Sequence, residues 1–331
     1  MQFEGTLLLR RSDIEGLLSP RDCMAAVENV FRLQGQGKIP APGILGVKAP
    51  GGGVHVKAGL LPGDRNYLVA KLNANFPGNN AQFGLPTIQG VIAVIDAENG
   101  VPLAILDSID ITLKRTAAAS AVAAKYLARK DSSVATICGC GQQGRAQLRA
   151  VLLVLPLTKI YAFDVNKRAA IKFSKELSCE LKIDIELVRD LASAIQKSDV
   201  CITCTTANEF FVRKGDVRPG TFIAAVGADA EHKQEIDPDL IASAKVVADS
   251  LDQSCAIGDV HHAIAHGLMR KGDVYAELCE IVAGHKIGRD VDDEIIVFDS
   301  TGVAIEDAVA SAAVYERALA KGIGPVFDFA A

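Results

Sequence analysis

The 331-residue sequence lacks the features of a membrane protein or a nucleic-acid-binding protein. No stretch approaches the about 18 consecutive apolar residues that indicate a membrane helix, and the first residues do not resemble a secretory signal. The formal net charge is −5, so the basic surface typical of nucleic-acid binding is absent as well. We therefore expect a soluble, cytoplasmic protein whose partners include neither membranes nor nucleic acids.

The sequence also has little that indicates a metal site. Cys201 and Cys204 form a C-x-x-C pair, but no second pair of cysteines or histidines lies at zinc-site spacing. Both cysteines lie in an apolar run typical of a buried strand. His261, His262 and His266 lack a carboxylate at metalloprotease spacing. We predict that the protein binds no metal and that its eight cysteines are reduced.

Short apolar segments alternate with helical periodicity from about residue 131 onward. This order is typical of a parallel sheet with helices on both faces, the doubly wound α/β fold. The predicted strands are Val134–Cys138, Ile160–Phe163, Ile183–Val188, Val200–Cys204, Thr221–Val226, Lys245–Ala248 and Ile295–Phe298. The predicted helices are Gln143–Leu155, Lys167–Leu181 and Asp190–Lys197.

The first 115 or so residues have a different pattern. Two β segments and an Asn99-Gly100 hairpin turn indicate an antiparallel α+β domain with an early helix near Pro20–Gly35. An alanine-rich helix, Thr116–Ala128, then leads into the α/β half. Since a length of 331 residues favours two domains, we assign residues 1–118 to the α+β domain and residues 119–304 to the α/β domain. The helix after residue 305 is expected to return to the α+β domain.

A glycine-rich motif, Gly-Cys-Gly-Gln-Gln-Gly at residues 139–144, follows a predicted strand and opens a predicted helix. This is the context that the dinucleotide-binding fingerprint of a Rossmann domain requires. Gly139 allows the tight turn, Gly141 lets the backbone approach a pyrophosphate, and Gly144 lets the helix pack on the sheet. The helix N-terminus favours the phosphate charge. The predicted cofactor contacts in this loop are Gly139, Gly141, Gln142, Gln143 and Gly144.

Asp164 ends the next predicted strand, twenty residues after Gly144. A carboxylate at this spacing binds the ribose hydroxyls and repels a 2′-phosphate, so it favours NAD over NADP. Lys167 and Arg168 follow, however, and they either bind the 2′-phosphate of NADP or form a solvated helix start. Asp164 itself could instead cap that helix. We predict NAD as the cofactor and keep NADP as the alternative.

Two threonines, Thr205 and Thr206, follow the strand Val200–Cys204 at the carboxyl edge of the predicted sheet. Ligands of open α/β sheets bind at this edge, so their hydroxyl groups either line the cofactor or belong to an ordinary turn.

Several stretches of the sequence resemble, in order and spacing, the ornithine cyclodeaminase/mu-crystallin family. They are Gly84-Leu-Pro-Thr-Ile-Gln-Gly, the helix entry with Lys-Arg-Thr-Ala-Ala within Ile111–Ala128, the glycine motif, Val226-Gly-Ala-Asp and Phe298-Asp-Ser-Thr-Gly. The resemblance covers nearly the whole chain. It implies hydride exchange at the α-carbon of an amino or imino acid, a Rossmann domain, and a substrate domain whose sheet builds a homodimer. The family includes cyclodeaminases, alanine dehydrogenase, and reductases of ketimines, pyrroline-2-carboxylate and iminosuccinate.

The resemblance also assigns roles to single residues. Arg115 matches the arginine that binds the substrate carboxylate, Lys71 the active-site lysine that acts as acid or base, and Asp229 the aspartate that contacts the substrate nitrogen. From the residues alone, Arg115 is a surface charge at a helix start, a weaker interpretation because a cation there opposes the helix dipole. Lys71 could extend from an edge strand, and Asp229 could belong to a turn. The remaining matches are Thr87 near the substrate and Val226, Thr301 and Gly302 near the nicotinamide.

The sequence departs from the family pattern in the segment Pro40–Ala49, which lacks an arginine that many members use as a second carboxylate anchor. We hypothesise that Lys57, with His55 on the same strand face, joins the substrate site. These positive charges argue against a diamino acid and for a small apolar or an acidic side chain, and an extra cation would suit a dicarboxylic imine such as iminosuccinate.

We therefore predict an NAD(P)H-dependent reductase that converts an α-imino acid to the L-amino acid. One alternative is a cyclodeaminase, which releases ammonia from a diamino acid without net oxidation of the cofactor. A second alternative is a crystallin-like protein that binds the nucleotide without catalysis.

Overall fold

The chain divides into two units, which are described separately. The computed structural model describes residues 5–329. Within this range, the first unit contains the residues up to Arg115 and those from Val303 onward, and the second contains Thr116–Gly302. None of the helices in the described residues is long and apolar enough to span a membrane.

The first unit contains a seven-stranded sheet with the order β15-β1-β6-β5-β4-β3-β2. Neighbouring strands are antiparallel except for β1 and β6, which are parallel. The strands are β1 (Thr6–Leu9), β2 (Gly43–Ala49), β3 (Gly52–Leu61), β4 (Tyr67–Asn75), β5 (Ile88–Asp96), β6 (Pro102–Asp107) and β15 (Val326–Phe327). The helices are α1 (Arg11–Ile14), α2 (Pro20–Gly35), α3 (Asn79–Phe83), α4 (Ile109–Leu127), whose first residues belong to this unit, and α12 (Ala304–Lys321).

Local sequence signals explain where several of these elements begin and end. The hydroxyl group of Ser19 accepts a hydrogen bond from the N–H of Asp22, and Pro20 occupies the first turn, so α2 begins as predicted. Gly100 has a φ of +79°, which glycine adopts without strain, and it closes the predicted hairpin between β5 and β6.

The start of the alanine-rich helix was predicted wrongly. The alanine-rich helix does not begin at Thr116, because the helical hydrogen-bond pattern already starts with the N–H of Thr112 donating to the carbonyl group of Ser108, so α4 begins at Ile109. Arg115 consequently lies within α4, not at its N-terminus, and the dipole argument about Arg115 does not apply. It is also not a surface charge, since it is only 5% exposed.

One face of the sheet in the first unit is buried, whereas the other face is partly exposed. Along β4, Tyr67, Val69 and Lys71 are buried on the face that packs against α12. Leu68 and Leu72 point to the opposite face and are 43% and 46% exposed. Alternation therefore places Lys71 among buried residues and leaves an apolar surface on the other side of the same strand.

The second unit contains an eight-stranded sheet with the order β13-β12-β14-β11-β10-β7-β8-β9, and all neighbouring strands are parallel. The order β9-β8-β7-β10-β11-β14 is that of a Rossmann sheet, with β12 and β13 added beyond it. The strands are β7 (Val134–Cys138), β8 (Lys159–Phe163), β9 (Asp184–Leu187), β10 (Val200–Thr203), β11 (Phe222–Ala225), β12 (Lys245–Ala248), β13 (Ala276–Glu277) and β14 (Ile296–Asp299). The doubly wound fold is thus confirmed.

The helices of the second unit connect these strands. They are α5 (Gln142–Val151), α6 (Lys167–Leu181), α7 (Leu191–Gln196), α8 (Pro238–Ser243), α9 (Leu251–Ile257), α10 (Asp259–Ala265) and α11 (Leu278–Val282). The prediction for α5 was too long at its C-terminal end, where Leu152 caps the helix. All eight strands run in one direction, so their carboxyl ends meet at one edge, where the predicted cofactor residues follow β7, β8, β10, β11 and β14.

Candidate active site

The structure brings two predicted site residues of the first unit, Lys71 and Arg115, into one buried cluster. Nζ of Lys71 lies 2.6 Å from Oδ2 of Asp307, and Lys71 is only 4% exposed. Nε of Arg115 donates to Oδ1 of Asp307 at 2.8 Å, and Nη1 donates to Oε2 of Glu306 at 2.7 Å. Two cations from β4 and α4 are therefore paired with two acids from the first turn of α12.

Burial and charge shift the proton equilibria in this cluster. Loss of hydration, together with the positive charge of Arg115, lowers the pKa of Lys71 to about 8, although Asp307 opposes the shift. Burial alone would raise the pKa of Asp307, but Arg115 and Lys71 outweigh it and hold that pKa below its usual value. Lys71 can thus gain or lose a proton near neutral pH, as an acid–base group must.

Glu306 and Asp307 were not predicted from the sequence. They lie at the start of a helix, where acidic residues usually complement the helix dipole at the surface. A signal was nevertheless present, since the two acids interrupt the apolar run from Val303 to Ala310. Both are fully buried, with exposures of 0% and 1%, and a buried acid needs a cationic or hydrogen-bonding partner.

The other predicted substrate residues of the first unit lie at different distances along the sheet. Lys57 is directly opposite Lys71 in the β3–β4 ladder, and it is partly buried. His55 shares its face but pairs with Asn73 and is exposed. Thr87 precedes β5 at the far end of the ladder, five residues before Ile92, which pairs with Lys71, and thus about 16 Å along the strand direction at roughly 3.3 Å per residue.

The glycine loop of the second unit has the geometry that its motif predicts. Gly139 has a φ of +102°, and a Cβ atom on it would lie 2.7 Å from the carbonyl oxygen of Cys204. A Cβ atom on Gly144 would lie 2.0 Å from the carbonyl oxygen of Gly139. Apart from the residues next to it in the chain, no described residue has a heavy atom within 4 Å of the position that a Cβ atom on Gly141 would occupy. A side chain would therefore clash with the backbone at Gly139 and Gly144, whereas there is space for one at Gly141.

Asp164 lies directly beside this loop. Its Oδ2 accepts a hydrogen bond from the N–H of Cys140 at 2.7 Å, and its Oδ1 accepts one from the N–H of Asn166. The alternative that Asp164 caps α6 is wrong, because the side chain of Asn166 accepts from Arg168 and Ala169 and forms the N-cap. Lys167 and Arg168 are exposed in the first turn of α6.

The residues around the loop fit a dinucleotide. At the N-terminus of α5, Nε2 of Gln143 is buried and has no hydrogen-bond partner among the described residues, so it is able to donate a hydrogen bond to a bound group. Gln142 is exposed at the same helix start, and open space lies at Gly141. A helix N-terminus, a free amide donor and room at the backbone together suit a pyrophosphate.

A buried glutamate organises two turns at the carboxyl edge. Oε1 of Glu235 accepts hydrogen bonds from the N–H and the hydroxyl group of Thr205 at 2.6 and 2.7 Å. Its Oε2 accepts from the hydroxyl group of Thr203 and the N–H of Gly227 at 2.6 and 2.8 Å. Glu235 therefore joins the turn after β10, which also contains Thr206, to the turn that begins with Val226.

A second buried carboxylate, Asp249, holds the loop after β14. Its Oδ1 accepts from the hydroxyl group of Thr301 at 2.9 Å, and its Oδ2 accepts from the N–H of Gly302 at 2.6 Å. Neither Glu235 nor Asp249 was predicted as part of the site. Tertiary packing brings Glu235 to the turn at Thr205, 30 residues away, and Asp249 to the loop at Thr301, 52 residues away, so local sequence did not indicate either contact.

Asp229 lies three residues after Val226 at the same edge. Its Oδ1 accepts a hydrogen bond from Nζ of Lys233 at 2.5 Å, and its side chain is 47% exposed. The carbonyl group of Lys233 in turn lies 2.8 Å from Nε2 of His262. The carboxylate of Asp229 is thus oriented by a neighbouring ammonium group and remains accessible.

The cysteine pair Cys201 and Cys204 and the histidines His261, His262 and His266 do not form a metal-binding cluster. No group of three or more possible metal ligands occurs among the described residues. All eight cysteines are free, and Cys201 is buried in β10. The imidazole of His262 contacts the carbonyl group of Lys233, so it supports the turn that contains Asp229.

The sequence profile of the ornithine cyclodeaminase/mu-crystallin family matches residues 4–322. The chain belongs to the ornithine cyclodeaminase/mu-crystallin family. The match extends over both units, so it includes the buried cluster of Lys71, Arg115, Glu306 and Asp307 as well as the glycine loop.

Three solved structures of family members are similar over nearly the whole chain. An archaeal alanine dehydrogenase dimer with bound NAD is 37% identical, covering 98% of this chain and 99% of that one, with a TM-score of 0.94. The pyrroline-2-carboxylate reductase of Thermococcus litoralis, in complex with NADH and L-proline, is 39% identical over 97% and 100%, with a TM-score of 0.92. The iminosuccinate reductase of Paracoccus denitrificans, in complex with NAD⁺, is 31% identical over 98% and 100%, with a TM-score of 0.89.

Two glycine substitutions test the geometry of the loop. Gly144→Ala places a Cβ atom 2.0 Å from a carbonyl oxygen, so we expect it to lower both the melting temperature of the protein without ligand and the affinity for NADH. Gly141→Ala has no atom within 4 Å, so we expect an unchanged melting temperature and at least about tenfold weaker NADH binding. Thermal unfolding and fluorescence titration with NADH measure both effects. Full NADH affinity in Gly141→Ala would contradict a pyrophosphate at this loop.

Proposed function

We propose that this chain is a homodimeric reductase that uses NADH to reduce a monocarboxylic α-imino acid with a small apolar side chain to the amino acid. The enzyme is an NAD(P)-dependent oxidoreductase of its family, and NAD is its cofactor. The observation that carries the proposal is the buried cluster of Lys71, Arg115, Glu306 and Asp307.

The charge of this cluster supports a substrate with one carboxylate. Lys71 and Arg115 are ion-paired with Glu306 and Asp307, so the two acids offset the two cations, and Lys57 lies opposite Lys71. A second substrate carboxylate would therefore place an additional anion close to two buried acids in a poorly hydrated site. The two acids were absent from the sequence argument that favoured a dicarboxylic imine, and they weaken it. They do not favour a diamino acid either, because both are already paired with Arg115 and Lys71.

Each polar group then has one task. The guanidinium group of Arg115 binds the substrate carboxylate, a partner to which it is matched in charge and shape. Lys71 donates a proton to the nitrogen as the imine carbon is reduced, and Asp229 stabilises the positive charge on that nitrogen. Bound NADH supplies the hydride.

The geometry around Asp164 supports NAD over NADP. Its carboxylate lies beside the glycine loop, where ribose hydroxyl groups bind and a 2′-phosphate is repelled. Lys167 and Arg168, the two cations that follow Asp164, are exposed in the first turn of α6.

A panel of imines tests the reaction. We expect NADH oxidation, followed at 340 nm, with Δ1-pyrroline-2-carboxylate or with pyruvate plus ammonia, and at least about tenfold lower kcat/KM with oxaloacetate plus ammonia. Lys71→Ala and Asp229→Asn should abolish turnover while NADH still binds, since neither residue lies in the glycine loop.

The alternatives give different results in the same assay. A preference for oxaloacetate plus ammonia would refute the charge argument. Ammonia release from ornithine without net NADH formation would identify a cyclodeaminase, and NADH binding without turnover of any compound would support a nucleotide-binding protein.

The pKa of Lys71 predicts opposite pH dependences for the two directions of the reaction. Imine reduction needs the protonated ammonium, so its kcat/KM should fall as the pH rises through about 8. Oxidation of the amino acid needs the neutral amine, so its kcat/KM should rise over the same range. Steady-state rates from pH 6 to 10 in both directions measure this. Two profiles of the same sign would contradict the assignment of Lys71.

The apolar face of the first unit supports the homodimer. Leu68, Leu72 and Val91 lie on the sheet face opposite Lys71 and are 43%, 46% and 44% exposed. On the same face, β2 adds Leu45 and Val47, each more than half exposed. A continuous apolar surface of this kind is typical of a protein interface. A second copy of the chain is the occupant that the dimeric alanine dehydrogenase structure favours.

A charge on this face should prevent dimer formation. We expect light scattering after size exclusion to give twice the chain mass for the wild type and the chain mass for Leu72→Lys, because burial of an unpaired ammonium is unfavourable. Leu187→Lys is the matched control, since Leu187 is 41% exposed but lies on β9 of the second unit. A monomeric wild type would refute the proposed dimer.

A further inference from the structure

One acidic residue of the cluster contacts both cations that the proposed reaction uses. Asp307 reaches Lys71 on β4 with Oδ2 at 2.6 Å and Arg115 on α4 with Oδ1 at 2.8 Å. The three side chains are at most 6% exposed. A single carboxylate from the first turn of α12 therefore bridges two other elements of the first unit.

We propose that Asp307 is a positioning residue that keeps Lys71 protonated for proton transfer and fixes the orientation of the Arg115 guanidinium group. This inference rests on the proposed function, because it gives Lys71 and Arg115 the roles stated there. Asp307 itself does not contact the substrate in this scheme. It acts through the two cations that do.

The surroundings of Lys71 explain why it needs this partner. The charged groups around it are Lys57 on β3, Arg115 on α4 and the acids of α12, whereas its neighbour on β5 is the apolar Ile92. Burial, Arg115 and Lys57 all favour the neutral amine, and Asp307 is the contacting anion that favours the ammonium. Without the negative charge of Asp307, Lys71 would lose its proton at a lower pH.

Glu306 provides a matched comparison within the same helical turn. It is as buried as Asp307, and its Oε2 accepts a hydrogen bond from Nη1 of Arg115 at 2.7 Å. Glu306→Gln removes one negative charge from the cluster but leaves the ion pair between Lys71 and Asp307 in place. Asp307→Asn removes the same charge at the next residue and breaks that pair.

The test compares the pH dependence of kcat/KM for imine reduction in the wild type and both variants. In the wild type, kcat/KM should fall at high pH, and we call this fall the alkaline limb. We expect Asp307→Asn to move the alkaline limb to lower pH by about one to three units, the range typical of losing an adjacent opposite charge. We expect Glu306→Gln to raise KM by about tenfold or more while the limb stays near that of the wild type. Asp307→Glu, which keeps the charge, should return the limb toward higher pH.

A direct titration separates this inference from the proposed function. NMR of protein labelled with ¹³C-lysine, with the Lys71 signal assigned by Lys71→Arg, reports the protonation of Lys71 without a substrate. A lower titration midpoint in Asp307→Asn supports the inference even if none of the imines is reduced. NADH binding and circular dichroism establish that each variant is folded.

Either of two results would overturn the inference. The first is a Lys71 titration, or an alkaline limb, that is the same in Asp307→Asn and the wild type. The second is an equal shift in Asp307→Asn and Glu306→Gln, which would indicate a general effect of charge and not the contact with Asp307.

Discussion

The pairing of buried cations with buried acids is the constraint on which the first unit depends. Lys71 and Arg115 lie where β4 and α4 meet α12, and each would be strongly unfavourable there as an unpaired charge. Glu306 and Asp307 resolve this by supplying two carboxylates from one helical turn. Because three elements contribute to the pairing, it also fixes how β4, α4 and α12 pack. The same contacts thus determine local structure and the protonation of Lys71.

The second unit uses buried carboxylates for a different purpose. Glu235 and Asp249 accept hydrogen bonds from N–H and hydroxyl groups of the loops at the carboxyl edge of the sheet. Buried polar networks of this kind stabilise one arrangement of the groups that they join, provided that each member is satisfied. Loops are usually mobile, so these two carboxylates explain how the turns at Thr205, Gly227 and Thr301 keep a defined shape.

Much of this fold was predictable because it is encoded in local patterns. The Rossmann strands are short apolar runs, and the glycine loop needs specific residues at specific positions for steric reasons that Gly139 and Gly144 illustrate. Arg115, Lys71 and Asp229 came from a family resemblance, and the sequence alone assigned them no partner. Glu306 and Asp307 could not be paired with them beforehand, since they are almost 200 residues away from Arg115 and only tertiary packing brings them together.

The position of α12 in the chain has a consequence for how the protein is made. The first unit includes residues from Val303 onward, so Lys71 and Arg115 lack both acidic partners until residues 306 and 307 have been synthesised. The second unit, Thr116–Gly302, is continuous in sequence and needs no later residues. Since domains fold as units during translation, the order of emergence from the ribosome places completion of the Rossmann unit first. Lys71 and Arg115 are synthesised early, but they can pair with Glu306 and Asp307 only after the whole second unit has been synthesised.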